Sequence, residues 1–281
     1  MVLPDREKIR EFIRNGIERY GYGGAVIGIS GGVDSAVAGA LLVDALGPGR
    51  VFGLLMPERD SAGDTPRDSK LVCDHLGIEY AVRPITPFIR RLGVYRMKPP
   101  AFLFPRKIKE RYAKKQWFRV EDPYTADLKT SGGRENRRNL AYYRTKHRFR
   151  MIMLYFEAEK RGYAVAGTTN KTEYLTGFYV KWGDDSSDIE PILHLYKTQV
   201  YMLAGELGIP RSIIDKTPSP DIAPGITDEF ALGMEYSDLD RILEKIETGV
   251  SLSQEKQEDV ERVREILAAA EYRNVRNLSL V

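Results

Sequence analysis

Ala25-Val26-Ile27-Gly28-Ile29-Ser30-Gly31-Gly32-Val33-Asp34-Ser35 runs straight into AVAGALLVDALG over residues 36–47. An apolar run that breaks at Ser-Gly-Gly and resumes with helical spacing predicts a strand, a tight turn and a helix. Such a turn presents backbone N–H groups at a helix N-terminus, where an anion is favoured. Two glycines and two hydroxyls in so short a loop suit a pyrophosphate group held by amide and serine donors. The lysine of GxxxxGK[ST] is absent and so is the GxGxxG dinucleotide pattern, which excludes both of those loops. Asp34 then reads as a magnesium ligand beside the phosphates, not as a phosphate contact.

Outward from this unit, strands and helices alternate. Residues 5–20 read as an amphipathic helix with Ile9, Phe12, Ile13 and Ile17 on its apolar stripe. Strands are expected at Ala25–Ile29, Val51–Leu55, Ile78–Val82 and Tyr163–Ala166, with helices at Ser35–Leu46, before Gly77, over 140–161 and up to Gly208. The 140–161 helix carries Phe149, Ile152, Met153 and Phe156 as its stripe, and a helical tail carries Val260, Val263, Ile266 and Leu267. This order predicts an α/β fold: a doubly wound, mainly parallel sheet with helices on both faces. Ligands on such sheets sit at the carboxyl ends of the strands, where both Ser30-Gly31-Gly32 and Gly167-Thr168-Thr169 fall.

Residues 1–281 read as one domain with 246–281 as a helical tail. Within it, 95–138 loses periodicity and holds Pro99-Pro100, Pro105, Pro123 and Ser131-Gly132-Gly133. A structureless stretch of this length predicts an inserted, functional flap. It is also basic. Residues 96–150 contain 17 Lys or Arg against 5 Asp or Glu, in a chain whose net charge is only +3. A hydrophobic fraction of 42% supports a sizeable core, and no run approaches the roughly 18–20 apolar residues of a membrane span. The opening MVLPDREKIREFIRNG is no signal peptide, and the single cysteine, Cys73, reads as a buried helix residue; both point to the cytoplasm.

GISGGVDSA resembles the pyrophosphate loop of the N-type ATP pyrophosphatases (the PP-loop superfamily). GTTNKTEYLTGFYVKWGDDSSDIEPILHLYKTQV, LLMPERDS, HRFRM, KTPSPD and ELGMEYSDLD are similar to the ammonia-dependent NAD synthetases, a resemblance that covers about 25–93 and 144–245. It implies an adenine nucleotide α-hydrolase-like fold and a carbon–nitrogen ligase reaction in two steps. The nicotinate carboxylate of deamido-NAD attacks the α-phosphorus of ATP, releasing pyrophosphate, and ammonia then displaces AMP. It further implies ATP-binding positions at Gly28, Ser30, Gly31, Gly32, Asp34, Ser35, Thr168, Lys197 and Ser219. Asp34 and Glu173 would hold Mg²⁺, Lys197 would place a charge on the phosphates, and Arg148, Lys181 and Asp188 would hold deamido-NAD. Asp188 could also take a proton from ammonium.

Taken singly, these residues read differently. Lys181 and Lys197 would be solvated surface lysines, Glu173 a helix N-terminal charge, Arg148 part of a solvated basic face, and His147 and His194 structural. The ordered spacing of the whole set favours function.

Two departures from the family pattern lie on the acceptor side. Arg144 stands where the family usually has Asn, and Tyr272-Arg273 where many members have His-Lys. A related ligase that adenylates another carboxylate therefore stays open. So does a tRNA-modifying enzyme tracking phosphates with the basic segment and Trp117, although its thiolating forms work through catalytic cysteines. Free ammonia or a separate glutaminase must supply the nitrogen, since no glutaminase domain fits in this length. The resemblance also implies a homodimer.

Overall fold

The fold is built around four parallel strands, and the computed structural model describes residues 2–61, 63–98, 111, 122–131, 133–218 and 226–274. The strands are β1 (Ala25–Gly28), β2 (Val51–Leu55), β3 (Glu79–Val82) and β4 (Ala164–Ala166), in the order β3-β2-β1-β4. Val26 pairs with Phe52 on one side and with Val165 on the other, so β1 lies between its sequence neighbour and a strand 136 residues away. Winding thus reverses between β1 and β4, which opens a crevice at their carboxyl ends. Ile189 adds one more parallel bridge beyond β4, opposite Ala166.

Alternation along β1 divides the core. Ala25 and Ile27 face one apolar cluster, built with α1 (Arg6–Arg19), α2 (Val33–Leu46), α8 (Lys197–Glu206) and α9 (Arg211–Ile214). Val26 faces the other, built with α4 (Thr86–Arg91) and the long α6 (Gly133–Arg161). Both faces of the sheet are therefore covered, as the near-continuous apolar strands require. On the same face as α2, α3 (Thr65–Leu76) buries Cys73 against β2; a Cβ on Gly53 would lie 3.0 Å from its sulfur. Burial pushes that thiol up to about 12, which keeps it an inert core residue.

A third cluster joins segments far apart in sequence. It contains Tyr124 and Leu128 of α5 (Pro123–Leu128), Leu239, Ile242 and Leu243 of α11 (Tyr236–Thr248), and Val263 and Ile266 of α12 (Gln257–Asn274). Part of the 95–138 stretch is therefore regular: α5 lies within it and α6 begins at Gly133, not near 140. Asp122 caps α5, its carboxylate accepting from Thr125 N, a local signal hidden by the prolines around it. Residues 99–110 and 112–121 of the expected flap, Trp117 among them, lie outside the described residues.

Two stripes differ from expectation. On α1, Ile9, Ile13 and Ile17 are buried while Phe12 is exposed, because steps of four keep the isoleucines on one face and Phe12 falls about 100° away. On α6, Ile152 and Phe156 are exposed, whereas Tyr142 and Lys146 are buried. Lys146 reaches Glu58 Oε1 at 2.8 Å and Asp60 Oδ2 at 2.9 Å, tying the turn after β2 to the helix. Burial alone would raise the Asp60 carboxyl, but bonds from Arg59, Tyr142 and Lys146 outweigh it and bring it down to about 2.

The start of β1 leaves no room for a side chain. Ala164 N donates to Gly24 O at 2.9 Å, and a Cβ on Gly24 would collide with the Arg50 carbonyl oxygen and lie 2.9 Å from the Tyr163 ring. Gly24→Ala should therefore cost about 2–3 kcal/mol through overpacking. In a thermal melt that is a fall in Tm of roughly 5–10 °C. An unchanged Tm would mean that the strand entry relaxes freely.

Candidate active site

At the carboxyl end of β1 the turn is closed by its own serines. Gly32 N donates to Ser30 Oγ at 3.2 Å, and Ser30 N to Ser35 Oγ at 3.3 Å. Ser35 Oγ donates to Gly32 O at 3.0 Å and sits 3.1 Å from Ser30 Oγ. The amides of Ser30 and Gly32 are thus engaged by the turn's own hydroxyls. Gly32 caps the 14-residue α2 without a side-chain bond, so the positive end of that helix faces the crevice. Gly31 has φ 79°, and Gly28 ends β1, half-buried.

Across the crevice, β4 leads through Gly167, Thr168 and Thr169 to α7 (Lys171–Thr176). Thr168 is half-buried in this turn. Asn170 caps α7 in a reciprocal box: Glu173 N donates to Asn170 Oδ1 at 2.9 Å, and Asn170 N to Glu173 Oε2 at 3.1 Å. The same Asn170 spends its side-chain N–H on Asp34 Oδ1 at 2.9 Å. The two halves of the crevice are thus joined by one asparagine.

Lys197, at the start of α8, completes the cluster. It is 1% exposed, far from the surface lysine its surroundings in the sequence suggest, and its ammonium is ion-paired with Asp34 Oδ2. Burial disfavours the ammonium, but the charges of Asp34, Glu173 and Asp228 outweigh burial and raise its pKa. Asp228 belongs to α10 (Asp228–Leu232), accepts from Tyr236 Oη at 3.0 Å, and is pushed up to about 6, first by burial. Glu173 is raised well above the usual carboxylate range by burial and then by the charge of Asp34. Three carboxylates against one ammonium leave the cluster short of positive charge.

A divalent cation fits that imbalance. Asp34 and Glu173 offer hard oxygen donors, and Asp34 keeps 19% of its side chain open toward the crevice. No group of three His, Cys, Asp or Glu able to hold a metal occurs among the described residues. Mg²⁺ needs only one or two carboxylates when phosphates and water complete its shell.

Arg148 on α6 donates from Nε and Nη2 to Lys181 O at 3.3 and 3.1 Å, so these two lie together. Asp188 is exposed beside β4. Its carboxylate accepts from Val165 N at 2.8 Å and Tyr155 Oη at 3.4 Å, because the bridge at Ile189 lays it along the edge of β4. Ser219 lies outside the described residues. Asn170 and Asp228 were missed in the sequence, although N-x-x-E over 170–173 is a legible capping box.

A parallel sheet with an amide-rich turn and a carboxylate–lysine cluster at its switch point defines an α/β protein that binds nucleotide phosphates. The comparisons narrow the class. The family described as NAD synthase matches residues 6–111 and 101–276. The NH(3)-dependent NAD(+) synthetase of Thermotoga neapolitana is 56% identical over 271 residues, covering 96% of this chain and 93% of its own. That of Thermotoga maritima is 55% identical over 267 residues, covering 95% of each. The solved NMN synthetase of Francisella tularensis superposes with a TM-score of 0.73 at 25% identity, over 98% of this chain and 96% of its own. The chain belongs to the NAD synthase family.

Proposed function

We propose that the protein couples ammonia to the nicotinate carboxylate of deamido-NAD to form NAD, with cleavage of ATP to AMP and pyrophosphate. What carries the reading is the meeting of the Ser30-Gly31-Gly32 turn with Asp34, Asn170, Glu173 and Lys197 at one crevice, in a chain of the NAD synthase family. The amides of the turn and the first turn of α2 hold the β- and γ-phosphates once Ser30 and Ser35 swing their hydroxyls outward. Lys197, fixed by burial, sets its charge where the leaving pyrophosphate gains negative charge. Asp34 and Glu173 would hold Mg²⁺, which when bound would supply positive charge to the same leaving group. Thr168 and Ser219 complete the ATP contacts.

Arg148, Lys181 and Asp188 hold the acceptor, Asp188 while its carboxylate also accepts from Val165 N. The chain works as a single domain. The protein works as a cytoplasmic homodimer, for which Ile152 and Phe156, one turn apart and both more than half exposed, supply an apolar face. Among the described residues no helix is long and apolar enough to cross a membrane. Nitrogen comes as free ammonia or from a separate glutaminase.

One incubation tests the reaction. With ATP, Mg²⁺, ammonium and deamido-NAD, the expected result is NAD, AMP and pyrophosphate in equal amounts. Omitting ammonium should stop NAD formation. AMP without NAD in the complete mixture would retain adenylation and reject this acceptor. The fold shared with an NMN synthetase makes nicotinic acid mononucleotide the alternative acceptor to run beside it.

A further inference from the structure

The first amides of α8 are capped by side chains from other helices. Tyr196 precedes the helix, and its own hydroxyl is committed to Glu247 Oε2 at 2.9 Å. Lys197 N donates to Thr172 Oγ1 of α7 at 2.9 Å, and Thr198 N donates to Asp240 Oδ2 of α11 at 2.8 Å. Thr172 Oγ1 in turn donates to Asp240 Oδ1. Both oxygens of one carboxylate are therefore engaged. The polarity is fixed as well, since a hydroxyl that donates to Asp240 keeps its lone pairs for Lys197 N. Thr172 and Asp240 are wholly buried, so water cannot take over either bond.

This clamp borders the catalytic cluster without entering it. Thr172 immediately precedes Glu173 on α7, and the amide it holds belongs to Lys197, whose ammonium pairs with Asp34. Tyr236 lies one turn before Asp240 on α11. Its hydroxyl donates to Asp228 Oδ2 at 3.0 Å, and its ring centroid is 5.5 Å from Lys197 Nζ. Helix α11 thus steadies both ends of Lys197, the amide through Thr172 and the ammonium through an aromatic face. A carboxylate at the N-terminus of the ten-residue α8 is favoured by the helix dipole and by charge-assisted bonds to its amides.

We infer that Asp240 is a positioning residue for the reaction, acting through Thr172 and the first turn of α8 to hold the Lys197 ammonium among Asp34, Glu173 and Asp228. The inference rests on the reading of Lys197 as the charge that meets the departing pyrophosphate, and it adds what fixes that charge in place. Because one carboxylate ties α7 to α8, it also keeps Glu173 and Lys197 at one separation. A misplacement of about 1 Å at a group acting on the transition state costs up to about a hundredfold in rate.

Two variants break the clamp at different points. Thr172→Val removes the hydroxyl at nearly constant volume, and Asp240→Asn leaves one acceptor oxygen where two are needed. Each should lower kcat for NAD formation about ten- to a hundredfold in assays well below the melting temperature. KM for ATP and for deamido-NAD should stay within about twofold, since the effect falls on the transition state. Thr172→Ser, which keeps the oxygen, should recover most of the rate. Thr176→Val is the control. It loses an equally buried hydroxyl of α7, one that donates to Thr172 O at 2.7 Å and stays within that helix. It should lower Tm to a similar extent and leave kcat near the parental value. Amide exchange followed by NMR reads the clamp without turnover: Lys197 and Thr198 should exchange about tenfold faster or more in the two clamp variants, and not in Thr176→Val. If Asp240→Asn fails to fold, Thr172→Val, which leaves the carboxylate in place, decides. Parental kcat or unchanged exchange in Thr172→Val, no recovery in Thr172→Ser, or an equal loss of kcat in Thr176→Val would overturn the inference. Faster exchange confined to the clamp variants, with no NAD formed by the parent, would keep the clamp on Lys197 and reject the proposed reaction.

Discussion

Lys197→Met should reduce NAD formation by about a thousandfold or more, the scale on which a missing charge at a developing anion is felt. The side chain is almost wholly buried between Asp34, Glu173 and Asp228, and methionine fills a similar volume without charge. The loss should appear in kcat, since the ammonium acts on the departing pyrophosphate. Removing the buried ammonium of this cluster also leaves its carboxylates uncompensated, at about 3–5 kcal/mol for a broken buried pair. That cost has a sign in pH. Asp228, at about 6, and Glu173, higher than usual, have folded pKa values above those of the unfolded chain. Their charged forms oppose folding at high pH, and the opposition fades as pH falls through the raised values. The variant's Tm deficit should be greatest above pH 7 and shrink toward pH 5. Adding Asp34→Asn should restore part of the Tm and none of the rate. A Lys197→Met enzyme with near-parental kcat would remove Lys197 from the chemistry.

The same residue shows where reading a sequence stops. GISGGVDSA is legible because its signals are local: an apolar run, a turn that only glycine makes easily, and the first turn of a helix. Strand positions were legible for the same reason, and Val51–Leu55 falls where the apolar run lies. Lys197 shares its helix face with Val200 and Ala204, yet nothing local supplies a buried ammonium with partners; only the fold of α7, α8 and α11 around it does so. Asp188 has a contact of the same hidden kind: a backbone N–H of β4, invisible in the sequence, donates to its carboxylate. Ile152 and Phe156 look like core because they are apolar and one turn apart, yet α6 turns Lys146 and Tyr142 inward instead, satisfied by Glu58 and Asp60 from the turn after β2. Long-range partners for polar groups are what periodicity cannot supply.

Gly31→Ala should lower kcat/KM for ATP about a hundredfold while leaving the KM for the acceptor near its parental value. Two separate effects meet at this glycine. Its φ of 79° is strained for any L side chain, at about 1–2 kcal/mol. A Cβ would also stand 2.9 Å from both Asp68 Cβ and Ser69 N. That wall does not yield easily: Asp68 is buried and gripped by Arg67 Nη2 at 2.9 Å and Lys216 Nζ at 2.8 Å, while Ser69 N is helix backbone. The turn must therefore move toward the crevice, carrying its amides off the positions where the phosphates would sit. Two control variants separate the causes. Gly47→Ala has a similar φ, 82°, with nothing within 4 Å of the added carbon, so it should lower Tm and leave ATP kinetics alone. Gly32→Ala sits at φ −96° and meets only Ser30 Oγ at 3.4 Å, so it should act weakly on both. If Gly31→Ala behaved like Gly47→Ala, strain alone would be at work, and the turn would not be what holds the nucleotide.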